Sequence, residues 1–143
     1  MSSTTEDSHQ NAPFRAISRA ECERLLGEHT VGRVAWNAPD GPELVPVNYA
    51  YYNKTIVFRT APDGVLSQLA RRTNVAFEID GVDEDARAGW SVVVRGAAER
   101  VMQNLDLVEL WTKSGPVPWA TGNRTLHIAI SPRTITGREV VAR

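Results

Sequence analysis

Residues 43–60 read ELVPVNYAYYNKTIVFRT and residues 90–100 read WSVVVRGAAER, and these two blocks decide the fold. The first is rich in Val, Tyr and Thr, and the second opens on Trp90 and a run of three valines, residues that suit a pleated, half-buried surface. In the first block Leu44 to Tyr52 reads as one strand and Thr55 to Thr60 as the next. Asn53-Lys54 between them has the chemistry and length of a tight hairpin turn. The second block continues as a long strand from Trp90 to Met102. Ala61-Pro62-Asp63-Gly64 then opens a helix, with Asp63 as cap over Gly64 to Arg72 and Val65, Leu66, Leu69 and Ala70 on one side.

Outward from these blocks the same pattern repeats. Ser18 and Glu21 form a capping box before a helix carrying Cys22, Leu25 and Leu26, with Gly27 as its stop. Val31 to Trp36 is a strand ended by the turn formers of residues 37–42. Val75 to Asp80 is another, followed by an acidic loop over residues 81–89. Asn104 caps a helix with Leu107, Val108, Leu110 and Trp111 at helical spacing, and Gly115-Pro116-Val117-Pro118 breaks it. Leu126, Ile128 and Ile130 alternate with polar or small residues as a half-buried strand, and Thr134 to Val141 forms a further short one. The reading is mainly β: six to seven antiparallel strands with three short helices packed outside a barrel, and no β-α-β alternation.

Composition narrows the function. The 143 residues make one domain, and 42% hydrophobic content suffices for an ordinary core. A net charge of −1 gives no field for nucleic acid or an anionic membrane, so neither is expected as a partner. No apolar run is long enough to span a bilayer. Residues 1–13 lack a charged n-region and an apolar h-region, and read as a disordered tail before a domain over 14–143. The single cysteine, Cys22, excludes an internal disulfide and fits a cytoplasmic location.

The chemistry-bearing candidates are few. Arg59-Thr60 at a strand end, followed by the turn to Gly64, can hold a phosphate through an arginine, backbone N–H groups and the helix dipole. The competing reading is a solvated strand end and an ordinary cap. No Walker or G-x-G-x-x-G pattern occurs. Trp119, in a proline-rich loop, suits a planar ligand or a neighbouring subunit as well as simple packing. His9, His29 and His127 lack metal-ligand spacing, and the acidic run Asp80, Asp83, Glu84, Asp85 lacks the EF-hand order, so no metal is expected. No nucleophile arrangement or convincing protein acid or base is present.

Seven short segments carry a resemblance. They are Val31-Gly32-Arg33-Val34, Pro46-Val47-Asn48-Tyr49, Phe58-Arg59-Thr60-Ala61, Phe77-Glu78-Ile79-Asp80, Gly89 to Gly96, Pro118-Trp119-Ala120 and Ile135-Thr136-Gly137-Arg138. In this order they resemble the pyridoxamine 5′-phosphate oxidase-like flavin-binding family, over residues 15 to 141. The resemblance implies a split-barrel homodimer binding FMN at the subunit interface. It implies that Pro46, Val47, Asn48 and Tyr49 lie along the flavin ring. Arg59, Thr60, Gly64 and Val65 would surround the phosphate, and Trp90 and Ser91 would approach the flavin. Trp119 and Arg138 would come from the partner subunit.

One position departs from the family pattern. Relatives carry a lysine or arginine at the helix start, where this chain has Val65 preceded by Asp63 and Gly64. Loss of one charge-assisted hydrogen bond weakens phosphate binding about tenfold to a hundredfold. Three functions follow: an FMN-dependent oxidoreductase, a deazaflavin-dependent reductase, or a flavin-binding or cofactor-free sensor without turnover.

Overall fold

The computed structural model describes residues 14–101 and 126–141. Seven strands form one antiparallel sheet: β1 (Phe14–Ile17), β2 (Val31–Ala38), β3 (Gly41–Tyr52), β4 (Thr55–Thr60), β5 (Thr73–Asp83), β6 (Ala88–Arg100) and β7 (Leu126–Val140). Their order is β1-β7-β4-β3-β2-β5-β6, and β7 also pairs with β6. That last pairing closes the sheet into a barrel. Helix α1 (Arg19–Glu28) and a 3-10 helix (Val65–Ala70) complete the described elements.

The split in the barrel comes from β7. One edge of β7 pairs with β6 from Ile128 to Val140. Its other edge pairs with β4 over Leu126–Ile130, and with β1 over Gly137–Val140. The expected separate strands at 126–130 and 134–141 are thus one continuous strand. The bend it needs is taken up by a register shift at Arg95/Gly96, where a Cβ on Gly96 would collide with the Ser131 carbonyl.

Period-2 alternation fills the barrel. Val34, Trp36, Val47, Tyr49, Phe58, Phe77, Val92, Val94, Ile128 and Ile130 point inward and are buried. Trp36 donates its indole N–H to Gln68 Oε1 at 3.0 Å, which satisfies the one polar atom of that buried ring. Tyr49 packs edge-on against Phe77 with ring centroids 4.8 Å apart.

The hairpin at Asn53-Lys54 forms as read, with φ of 50° and 60°, the left-handed conformation such a turn demands. Ser18 caps α1, its hydroxyl accepting from the Glu21 N–H at 3.2 Å. The helix runs one residue past Gly27, and His29 rather than Gly27 is its C-cap. Residues 81–89 are not a loop throughout. β5 continues to Asp83 and β6 starts at Ala88. The turn is held by the Ala86 N–H donating to Asp83 Oδ1 at 3.1 Å. The predicted tail, the helix from Asn104 to Trp111, and Trp119 lie outside the described residues.

Candidate functional site

β3 is twice as long as its neighbour β4, and this mismatch shapes the site. β4 pairs with β3 only over Tyr49–Tyr52, so from Gly41 to Asn48 the strand neighbour of β3 is β2 alone among the described residues. The Tyr49 N–H donates to Thr30 O at 2.9 Å, so alternation turns the odd-numbered N–H groups toward β2. The even-numbered groups face the β4 side. Pro42 and Pro46 fall on that side, where a missing N–H breaks no ladder bond.

This sorts the four β3 candidates. The side chains of Val47 and Tyr49 are in the core, and their N–H groups face β2. Pro46 is exposed and has no N–H. Asn48 therefore supplies the one main-chain N–H on the β4 side within Pro46–Tyr49.

Arg59 and Thr60 end β4 beside this edge, since Tyr49 pairs with Phe58. Thr60 is 3% exposed and is the buried polar residue of the described core. Arg59 pairs in register with His127. Burial first, and then the Arg59 charge, hold the His127 imidazole below its ordinary value, so it is neutral near pH 7.

The turn after Thr60 differs from the expected helix. Gly64, not Asp63, is the N-cap, and no side chain caps the element. It is a six-residue 3-10 helix rather than a longer α-helix. Leu66 and Leu69 are its buried residues, and a spacing of three matches the 3-10 repeat. Such a short element has little dipole, so any phosphate charge here falls to Arg59. Val65 is 42% exposed at the start of this helix and offers no cation.

Trp90, Ser91 and Arg138 form a second group. Ser91 pairs with Arg138, and Trp90 with Glu139. Alternation places Trp90 and Ser91 on opposite faces. The Trp90 ring lies 5.0 Å from the His29 ring and covers Gly81, where a Cβ would come within 2.5 Å of the indole nitrogen. Ser91 and Arg138 face outward and line a cleft with Val93, Arg95 and Thr136. β2 and β5 separate β3 from β6, about 14 Å of sheet at the usual strand spacing.

Sequence reasoning missed Arg95 and Thr136. The signal was present: Ser91, Val93 and Arg95 recur at every second residue of a strand, which sets them on one face. Among the described residues, no cluster of three His, Cys, Asp or Glu side chains is placed to hold a metal.

The profile of the family described as pyridoxamine 5′-phosphate oxidase matches residues 18–139. The uncharacterized protein Rv0080 of Mycobacterium tuberculosis is 30% identical over 131 residues, 88% of this chain and 85% of the relative. A solved structure described as the FAD binding protein from Mycobacterium smegmatis superposes with a TM-score of 0.73 at 32% identity, covering 88% of this chain and 98% of that one. A conserved protein of unknown function from Corynebacterium diphtheriae, DIP1874, gives a TM-score of 0.73 at 27% identity, covering 90% and 99%. With the barrel, its long open β3 edge and a profile match over most of its length, this chain belongs to the pyridoxamine 5′-phosphate oxidase family.

Proposed function

We propose that this protein is a flavin-binding oxidoreductase that acts as a homodimer in the cytoplasm. The observation that carries this reading is the open β3 edge with Arg59 and Thr60 at one end. Residues Pro46 to Tyr49 would lie along the ring, and Arg59 and Thr60 would hold the phosphate. A bound flavin supplies the hydride or electron transfer. The chain itself would orient the ring, exclude water on the barrel side and place a cation at the tail. A two-fold partner could set Ser91 and Arg138 of one subunit against the β3 edge of the other.

FMN is the ligand we infer from the sequence pattern. A second reading, FAD, is favoured by charge. The terminal phosphate of FMN is close to dianionic at neutral pH, and this chain has Val65 where relatives place a second cation. Each phosphate of a dinucleotide carries a single charge, which suits a lone arginine. The Mycobacterium smegmatis relative is described as FAD-binding. Calorimetric titration of cofactor-stripped protein with FMN, FAD and riboflavin tests all of this. Either nucleotide binding more tightly than riboflavin supports a working phosphate site and selects between the two readings. Binding of none of the three removes the flavin reading. A monomer by light scattering removes the shared site.

A further inference from the structure

The cleft on the outer face of β6 and β7 has a chemistry that the ring-side role given to Ser91 and Arg138 does not explain. It has a volume of about 230 Å³ and is lined by Ser91, Val93, Arg95, Thr136, Gly137 and Arg138. Arg95 and Arg138 enter from its two ends, since Arg138 pairs with Ser91 and Arg95 with Thr134. Val93 and Thr136 pair between them and form the floor. Two arginines and two hydroxyl side chains thus line the cleft, with no carboxylate among its lining residues.

Arg95 and Arg138 are among the described arginines that no carboxylate neutralises. Arg15, Arg19, Arg24, Arg33 and Arg72 each have a carboxylate within 4.0 Å. Arg95 and Arg138 have none among the described residues, and Arg138 instead lies over the Phe14 ring at 5.1 Å. The hydroxyls of Ser91 and Thr136 make no hydrogen bond there either. The acids nearest in register are engaged with another cation. Asp80 pairs with Ser91 and Glu78 with Val93, on the same face, and both carboxylates lie 3.4 Å from Arg33 Nη1 on the β2 side. Glu139 bonds Arg15 at 3.2 Å. Arg95 also lines an adjoining cavity of about 340 Å³ with Ala35, Pro42, Asn74 and Ala76, room for the body of a small ligand.

We propose that Ser91, Arg95, Thr136 and Arg138 form an oxyanion-binding subsite, distinct from Arg59–Thr60, that receives the phosphate or carboxylate group of a small organic ligand. Two forked donors and two hydroxyls match the geometry of such a group. The oxyanion belongs either to the substrate or to the tail of the cofactor. Its assignment to a substrate rests on the flavin reading, whereas its affinity for an oxyanion does not.

The test is titration of the cofactor-stripped full chain with inorganic phosphate, at constant ionic strength set with chloride and followed by amide NMR shifts. Saturable binding is expected, weakened about tenfold or more by Arg95→Gln and about twofold to tenfold by Thr136→Val. Arg100→Gln, an exposed arginine farther along β6, should leave it unchanged. Should Arg95→Gln fail to fold, Thr136→Val carries the test. Absence of saturable binding, or equal effects of Arg95→Gln and Arg100→Gln, overturns the proposal. Riboflavin and FMN titrations identify the source. An Arg95→Gln protein that loses FMN affinity but keeps riboflavin affinity assigns the cleft to the cofactor tail. One that keeps both, while losing inorganic phosphate, assigns it to a substrate oxyanion. Failure of riboflavin, FMN and FAD to bind the unaltered protein sinks the flavin reading and leaves the phosphate result standing.

Discussion

The Tyr49 hydroxyl donates a 2.7 Å hydrogen bond to the main-chain carbonyl of Leu26. That carbonyl lies in the last turn of α1, where helical partners run out, and Leu26 is fully buried. Burial also pushes the Tyr49 phenol well above its usual value, so it remains a donor at any working pH. One side chain thus fastens α1 to β3, beside the candidate flavin edge. Tyr49→Phe should cost about 1–3 kcal/mol, because a buried acceptor is left without its donor. Urea denaturation measures this, and an unchanged midpoint would show that the bond contributes nothing.

The Asn53-Lys54 hairpin offers a gain. Lys54 holds a φ of 60°, which costs a side-chain-bearing residue about 1 kcal/mol that glycine avoids. Lys54→Gly should raise stability by about 0.5–1 kcal/mol, or roughly 2–4 °C in Tm for a chain of this length. A lowered Tm would mean that the extra freedom of glycine in the unfolded chain outweighs the relief.

Glu78 sets a pH dependence. Burial first, then the neighbouring Asp80 carboxylate, push its carboxyl up to about 7, against the opposing pull of Arg33. The folded state therefore binds this proton more tightly than the unfolded state does. The resulting stability is fully present below the unfolded value, near 4.5, and is lost as pH rises through about 7. Glu78→Gln should flatten the stability profile across that window and raise the urea midpoint at pH 8 relative to the parent. The gain should be about 1 kcal/mol or less, since the group is partly open to solvent. A steeper profile in the variant would reverse the assignment.

Arg59 is the cation at the β4 end, and the neighbouring His127 is neutral. Arg59→Gln should weaken FMN or FAD binding about tenfold to a hundredfold and leave riboflavin affinity within twofold. Equal losses for all three ligands would place Arg59 against the ring or in the fold rather than at the phosphate.

Much of this was legible in the residues. Strands β2 to β7 follow from alternation and from β-branched and aromatic residues, and the hairpin follows from Asn53-Lys54. Strand β1 was not legible: Phe14-Arg15-Ala16-Ile17 is four residues long, and its partner is Gly137 to Val140 at the far end of the chain. A short segment fixed by distant pairing leaves no local period. The 3-10 form of Val65–Ala70 was hidden for the opposite reason. Apolar residues at 65, 66, 69 and 70 satisfy the α-helical spacing as well, and only the packing of Leu66 and Leu69 decides. At the site, residue types were readable, but the direction of each N–H group was not, and it depends on the register of β3 with β2.

β7 also imposes an order of events on folding. It supplies the strand that β4, β6 and β1 all require, and Arg15 meets Glu139 across a sequence separation of 124. During synthesis the hairpins β2-β3, β3-β4 and β5-β6 can assemble as they emerge, while the outer edges of β4 and β6 stay open. Those edges are templates for mispairing with other chains until β7 arrives. Closure by a late, non-local strand makes the barrel slow to complete, and it makes the interval before β7 docks the period of greatest exposure to aggregation.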